Sequence, residues 1–250
     1  MGFWGIGLSQ GRRVWDDVVQ RSRALEEDIK ARREADFSGM ANGLRARLSE
    51  HLELSELPVD ADLREHESPF GVARVVTAAY RSPKVRKVVL SHVVVGPARL
   101  PVVEGLLLTV FPEYEWDLPC FVAEIVALPF WVSVSADVYG REWQTQRVLS
   151  SLRPAFLRLG GNLCQGPLAP VCSGDGLYAR LRPRQLEDGF AALLQALGAS
   201  LQRLADPPPG RSLSTQQELF ALLHDAGPRR DLRRVFGEPF AERLSRLLFE

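Results

Sequence analysis

Between Gly71 and Gly140 the chain consists of β-rich segments separated only by short turn sequences, and this succession restricts the fold more than any other feature. Strands are predicted near 71–82, 85–96, 102–111, 120–128 and 131–139, broken by SPK, GPAR, PEYEWDLP and LPF. Parallel neighbours would need crossovers of a dozen or more residues, so connections this short predict an antiparallel meander. Helical patterns lie on both sides of it. Residues 14–35 are highly charged with sparse apolar positions, which reads as a solvated helix carrying intrahelical ion pairs. A second helix is expected at 38–52, where Met40, Leu44, Leu48 and Leu52 recur at steps of four, and a long amphipathic one at 141–158. A Gly- and Pro-rich loop then leads to Gly176 and a short strand, LYARLRP, at 177–183. Two helices follow: 185–205, with Phe190, Leu193, Leu194, Leu197, Leu201 and Leu204 on one face, and 214–249, broken at Gly227-Pro228. The expected architecture is of the α/β class, a single-domain α/β/α sandwich with a central antiparallel sheet. Residues 1–37 would form a charged helical extension to a domain spanning 38–250.

Composition excludes several function classes. The 31 basic and 31 acidic residues balance, so nothing global favours nucleic acid or an anionic membrane. Cys120, Cys164 and Cys172 are odd in number and match no metal-site spacing, and the four histidines are scattered, which argues against zinc and against a disulfide framework. Gly5, Gly7 and Gly11 have no strand ahead of them and do not read as a phosphate loop. No apolar run approaches the roughly 18 residues of a membrane span, and the N-terminus lacks a basic segment ahead of an apolar one; a cytoplasmic protein is expected.

Against this background one carboxylate stands out. In CFVAEIVALPFWVSVSADVYG, Glu124 lies inside an otherwise apolar hairpin. An ionised group there would lose its water, so it is either paired or holds its proton towards neutrality. A carboxylic acid of the second kind is a proton donor, although a structural acid paired with an arginine would look the same in sequence.

YRSPKVRKVVLSHVVVG (80–96), followed by FPEYEWDLPCFVAEIVALPFWVS (111–133), resembles the ferredoxin-dependent bilin reductases. The resemblance lies in a Tyr, a Pro and an Arg-Lys pair before a strand, then Phe-Pro, Leu-Pro, and an acid before Ile-Val. VFGEPFAERLSRLLFE (235–250) looks like that family's closing helix, and LYARLRP like its isolated strand. The red chlorophyll catabolite reductases are a related branch. The resemblance implies a single α/β/α domain, commonly monomeric, with an open-chain tetrapyrrole between the sheet and the C-terminal helices. It implies no bound metal, flavin or nicotinamide: electrons would arrive singly from reduced ferredoxin or flavodoxin while side chains supply protons.

Residue by residue, the resemblance makes Glu124 the principal proton donor, a position held by aspartate in bilin reductases and by glutamate in the chlorophyll catabolite enzymes. The extra methylene lengthens its reach by about 1.5 Å. Asp225 falls near a second family acid, with Asp231 further on, although either aspartate would also serve as a helix cap. A histidine that several members place before Phe-Pro becomes Leu107, and a substrate-holding glutamate becomes Ser91. Strand alternation sends His92 to the opposite face from Ser91. Ser133, Arg229 and Arg230 would hold propionates, and Arg153 or Arg158 would substitute for a missing family arginine. Arg81, Lys84, Arg86 and Lys87 would form a basic face for an acidic ferredoxin, and Arg229, Arg230, Arg233 and Arg234 a second. The expected activity is a two-electron reduction of a biliverdin-like tetrapyrrole. The alternatives are the same fold acting on another conjugated or peptide-linked molecule, or a non-catalytic tetrapyrrole-binding protein.

Overall fold

A computed structural model describes residues 4–68, 71–96, 101–116, 118–140, 142–163, 176–202, 216–217 and 233–249. The predicted meander is present as β3 (Ala73–Ser82), β4 (Val85–Val95), β5 (Val103–Pro112), β6 (Cys120–Ala127) and β7 (Val132–Tyr139), each antiparallel to the next. Two short strands, β1 (Ser55–Glu56) and β2 (Glu65–Glu67), pair with β3. At the other edge β9 (Leu177–Leu181) pairs with β7 and carries β8 (Asn162–Leu163). The order is β1-β3-β4-β5-β6-β7-β9-β8.

Alternation along the strands assigns every side chain to one of two faces. Even-numbered residues of the central strands, among them Val88, Leu90, Leu106, Leu108, Val134 and Ala136, join Ile125, Ala179 and Leu181 in the larger core. That core is closed by α2 (Phe37–Ser49), α4 (Glu142–Arg158) and α5 (Leu186–Leu201). Helix α2 starts where Asp36 accepts a hydrogen bond from the Gly39 amide at 2.8 Å, and it buries Phe37, Met40, Leu44 and Leu48, the spacing expected from sequence. Gly189 lets α5 lie close on the sheet: a Cβ there would come within 2.7 Å of Leu181 and 2.8 Å of Val134.

The opposite face is covered by α6 (Glu238–Phe249) and, at one side, by the short α3 (Ala61–Arg64). Phe240, Leu244 and Leu248 pack there with Val75, Val89, Phe111, Cys120 and Val122. The expected break at Gly227-Pro228 lies outside the described residues. A break is observed at Gly237, whose φ of 86° is a left-handed conformation that glycine adopts at low cost. The far end of α6 is pinned by side chains from the sheet. Lys87 Nζ donates to the Leu247 carbonyl at 2.7 Å and Thr109 Oγ1 to the Leu248 carbonyl at 3.0 Å, satisfying carbonyls that a helix end leaves open.

The first helix, α1 (Trp4–Glu34), is longer than predicted and includes all three N-terminal glycines, so no phosphate loop forms there. Lys30 and Glu34 make the intrahelical type of pair expected of it, at 3.9 Å. Arg32, by contrast, is buried and pairs with Glu104 of β5 at 3.1 Å, while Arg184 reaches Glu27 at 3.1 Å. The last turns of the helix are therefore docked on the sheet.

Lys87→Met should cost about 1–3 kcal/mol in urea denaturation by leaving an α6 carbonyl unpaired. An unchanged midpoint would show that the cap contributes nothing.

Candidate functional site

Between the α6 face of the sheet and α6 lies a cavity of about 450 Å³, within the range of sites that hold organic ligands. Val93, Val95, Val103, Gly105, Leu106, Leu107 and Val126 line it from the sheet, and Val235, Phe236, Leu244 and Leu248 from the C-terminal segment. Gly105 leaves part of the floor without a side chain. Ser91, Glu124 and Arg234 are the polar members, and Glu124 is the only acid among the described lining residues.

Register builds this floor. Thr77 pairs with Ser91, Ser91 with Leu107, Leu107 with Glu124, Glu124 with Ser135, and Ser135 with Tyr178, so one row crosses the sheet on the cavity side. At one end Thr77 Oγ1 and Ser91 Oγ satisfy each other at 3.0 Å. Glu124 borders the cavity and is otherwise enclosed by protein. Burial, with no opposing cation or hydrogen bond among the described residues, pushes its carboxyl up to about 7. The group therefore carries a proton to near neutrality and is positioned to exchange it with whatever fills the cavity.

The neighbouring buried acid behaves in the opposite way. Glu104 faces α1 and α2, where burial pushes it up, but hydrogen bonds from His92 and Arg32 outweigh that effect and hold it below the ordinary value. His92 Nε2 lies 3.0 Å from Glu104 Oε1 and its ring stacks on Phe37 with centroids 6.0 Å apart. It lies under a helix on the face opposite Ser91, as alternation requires.

Ser91 and Leu107 line the cavity beside Glu124. Ser133 is buried on the same face one strand beyond Val126, whose carbonyl its hydroxyl approaches at 3.5 Å. Asp225, Asp231, Arg229 and Arg230 lie outside the described residues. Arg153 and Arg158 are exposed on α4, which packs against the other face of the sheet, so they do not face the cavity.

The expected basic face of Arg81, Lys84, Arg86 and Lys87 does not form one surface. Lys87 is buried and committed to the end of α6. Arg86 Nε donates to Gln216 Oε1 at 2.8 Å, with its guanidinium over the rings of Phe111 and Tyr114. Arg81 is exposed and Lys84 half-buried, at the β3–β4 turn. At about 3.4 Å per residue along β4, that turn is roughly 20 Å from the Glu124 row, so these side chains are not beside the cavity. Arg234 is exposed at the cavity instead.

Two residues of this face were not singled out from sequence. Tyr178 and Arg180 alternate with buried Leu177, Ala179 and Leu181, a pattern legible in LYARLRP. Burial raises the Tyr178 hydroxyl; the Arg180 charge lowers it and the Glu124 charge raises it, the net shift being upward. Both groups thus act on one hydroxyl.

A single antiparallel sheet between helices, with an acid-bearing apolar cavity on the C-terminal-helix side, is the class of protein these observations define. The sequence model of the ferredoxin-dependent bilin reductase family matches residues 41–146. A phycoerythrobilin:ferredoxin oxidoreductase from Gloeobacter violaceus is 34% identical over 84 residues, a stretch that spans a third (33%) of each chain. The crystal structure of tomato phytochromobilin synthase in complex with biliverdin superposes with a TM-score of 0.67 at 16% identity, covering 86% of this chain and 83% of that one. The resemblance to the bilin reductases read from the sequence therefore holds, in the sequence of the sheet and in the fold.

The raised carboxyl has a measurable cost. Well below pH 4.5, Glu124 is protonated in the folded and unfolded chains alike. Above that value the unfolded chain releases its proton while the folded chain keeps it to about 7, so stability falls by about 3 kcal/mol across the window. Glu124→Gln should remove this loss, gaining stability over wild type at pH 8 but not at pH 4 in urea titrations.

Proposed function

We propose that this protein is a ferredoxin-dependent reductase of a linear, biliverdin-like tetrapyrrole, adding two electrons and two protons across one double bond. The observation that carries the reading is an acid protonated to near neutrality on the floor of an apolar cavity, in the fold of these reductases. An elongated conjugated ligand suits a cavity with apolar walls from both sheet and helix. The relative in Gloeobacter is named for ferredoxin and phycoerythrobilin, and the tomato protein holds biliverdin.

In this reading reduced ferredoxin delivers one electron at a time and is oxidised. Glu124 donates one proton to the electron-rich pigment and recovers it from solvent. The second proton comes from Asp225 or Asp231, the acids expected on the C-terminal segment. Ser91 and Leu107 leave Glu124 without a charged neighbour on the floor, which favours reduction at one bond over a four-electron sequence needing more donors.

Anaerobic absorbance titration with biliverdin should give a shifted bound spectrum, and reduced ferredoxin with a regenerating system should convert it through a radical to a shorter-wavelength product. Glu124→Gln should bind pigment while turning over roughly 10²-fold or more slowly, the usual size of a general-acid contribution. Wild-type single-turnover rates should fall as the pH rises above about 7, where the donor is lost. Unimpaired turnover by Glu124→Gln would remove the acid from the mechanism, and pigment binding without any turnover would leave a carrier.

A further inference from the structure

We propose that Arg180 anchors a carboxylate of the ligand whose apolar body fills the cavity; the assignment rests on the tetrapyrrole reading, in which the substrate bears acidic side chains. The sheet face that floors the cavity continues past its last lining residue, Val126, towards the β9 edge. Val93, Gly105 and Val126 line the cavity in one cross-strand row, and the same row continues through Ser133 to Arg180. Arg180 is exposed, while its neighbours Ala179 and Leu181 are buried on the other face. It therefore stands on the cavity side at the edge of the apolar floor.

Its guanidinium is held in place without a neutralising partner among the described residues. It lies 4.1 Å from the centroid of the Trp131 ring, and no carboxylate among the described residues pairs with it. Trp131 is itself fixed by the tight β6–β7 turn, where its carbonyl accepts from the Leu128 amide at 2.8 Å. A guanidinium stacked on an indole face keeps its N–H edge open, the geometry that binds a carboxylate in a bidentate manner. The other cations nearby are differently placed: Arg234 lines the cavity from the C-terminal segment and not from the sheet, Arg184 is tied to Glu27 and Asp28, and Arg153 and Arg158 lie behind the sheet.

Arg180 and Glu124 stand on the same face of the sheet. Their backbones are two strands and one residue pair apart, roughly 12 Å from the strand spacing and rise. Tyr178 lies in the Glu124 row and two residues from Arg180 on β9, and its hydroxyl feels both charges. A ligand with a reducible carbon at Glu124 and a carboxylate about 10 Å away spans the two. This geometry sets the direction in which an elongated ligand lies: apolar end under α6, acidic side chain towards β9.

The test is an unreduced absorbance titration of wild type, Arg180→Gln and Arg180→Lys with biliverdin and with its dimethyl ester. Wild type should bind the diacid at least tenfold more tightly than the diester. Arg180→Gln should lose that preference through weaker diacid binding alone, and Arg180→Lys should keep part of it. Because the side chain is exposed, the variants should retain the wild-type melting temperature, and the wild-type acid-to-ester ratio reports on the anchor without any substitution. A wild type indifferent to esterification, or an Arg180→Gln that keeps the wild-type ratio, overturns the assignment and leaves the tetrapyrrole reading intact. Binding of neither pigment by wild type overturns both.

Discussion

Strand alternation, kept in register from β3 to β9 on the rows that matter, is the constraint from which the site follows. Each strand contributes one residue to the row that crosses Thr77, Ser91, Leu107, Glu124, Ser135 and Tyr178. A slip of one residue in β6 would turn Glu124 into the α5 core, where Ile125 now sits fully buried, and bring an isoleucine to the cavity. Both faces of the sheet are covered, so such a slip would bury a charge among leucines. The irregularities in β3–β4 and β4–β5 pairing lie near the distant turn, at Tyr80–Ser82 and Val85–Lys87, and leave this row intact.

Glu104 and Glu124 show how the same residue type is set to opposite states by its neighbours. Both are partly enclosed acids on adjacent strands. Glu104 faces Arg32 and His92, and two hydrogen bonds hold it ionised; Glu124 faces Leu107, Ser135 and an apolar void, and no group among the described residues opposes its desolvation. The first pair locks the N-terminal helix to the sheet. The second group is left with a chemical capacity that the fold itself does not use.

Much of this could be read from the chain because it is local. The strands deviate from their predicted limits by at most a few residues, since the β-branched runs end at the turn residues that also end the strands. The isolation of Glu124 and the facing of His92 both followed from period-two alternation. What local pattern could not supply were partnerships across long separations. Arg81, Lys84, Arg86 and Lys87 form a basic cluster in sequence, but Lys87 bonds to Leu247 and Arg86 to Gln216. Arg32 lies in a segment whose sequence reads as a solvated face, yet it is buried against Glu104. Arg180 carries no local signal of a role, because its position depends on β9 joining the sheet beside β7, a pairing that the intervening helix and loop conceal.

The protonated state of Glu124 also bears on how an electron could be accepted in such a place. Adding one electron to a conjugated molecule in an apolar cavity creates a charge with little solvent to stabilise it, which is costly at low dielectric. An ionised carboxylate on the floor would repel that charge and make reduction harder. A neutral carboxylic acid does the reverse: it can hydrogen-bond to the growing negative charge and then cancel it by transferring its proton. The ionised carboxylate it leaves behind is again unfavourable in its desolvated position, which drives its reprotonation. On the proposed reading, then, the desolvation that costs the fold stability is what couples electron arrival to proton transfer, and a compensating cation beside Glu124 would stabilise the chain while weakening that coupling.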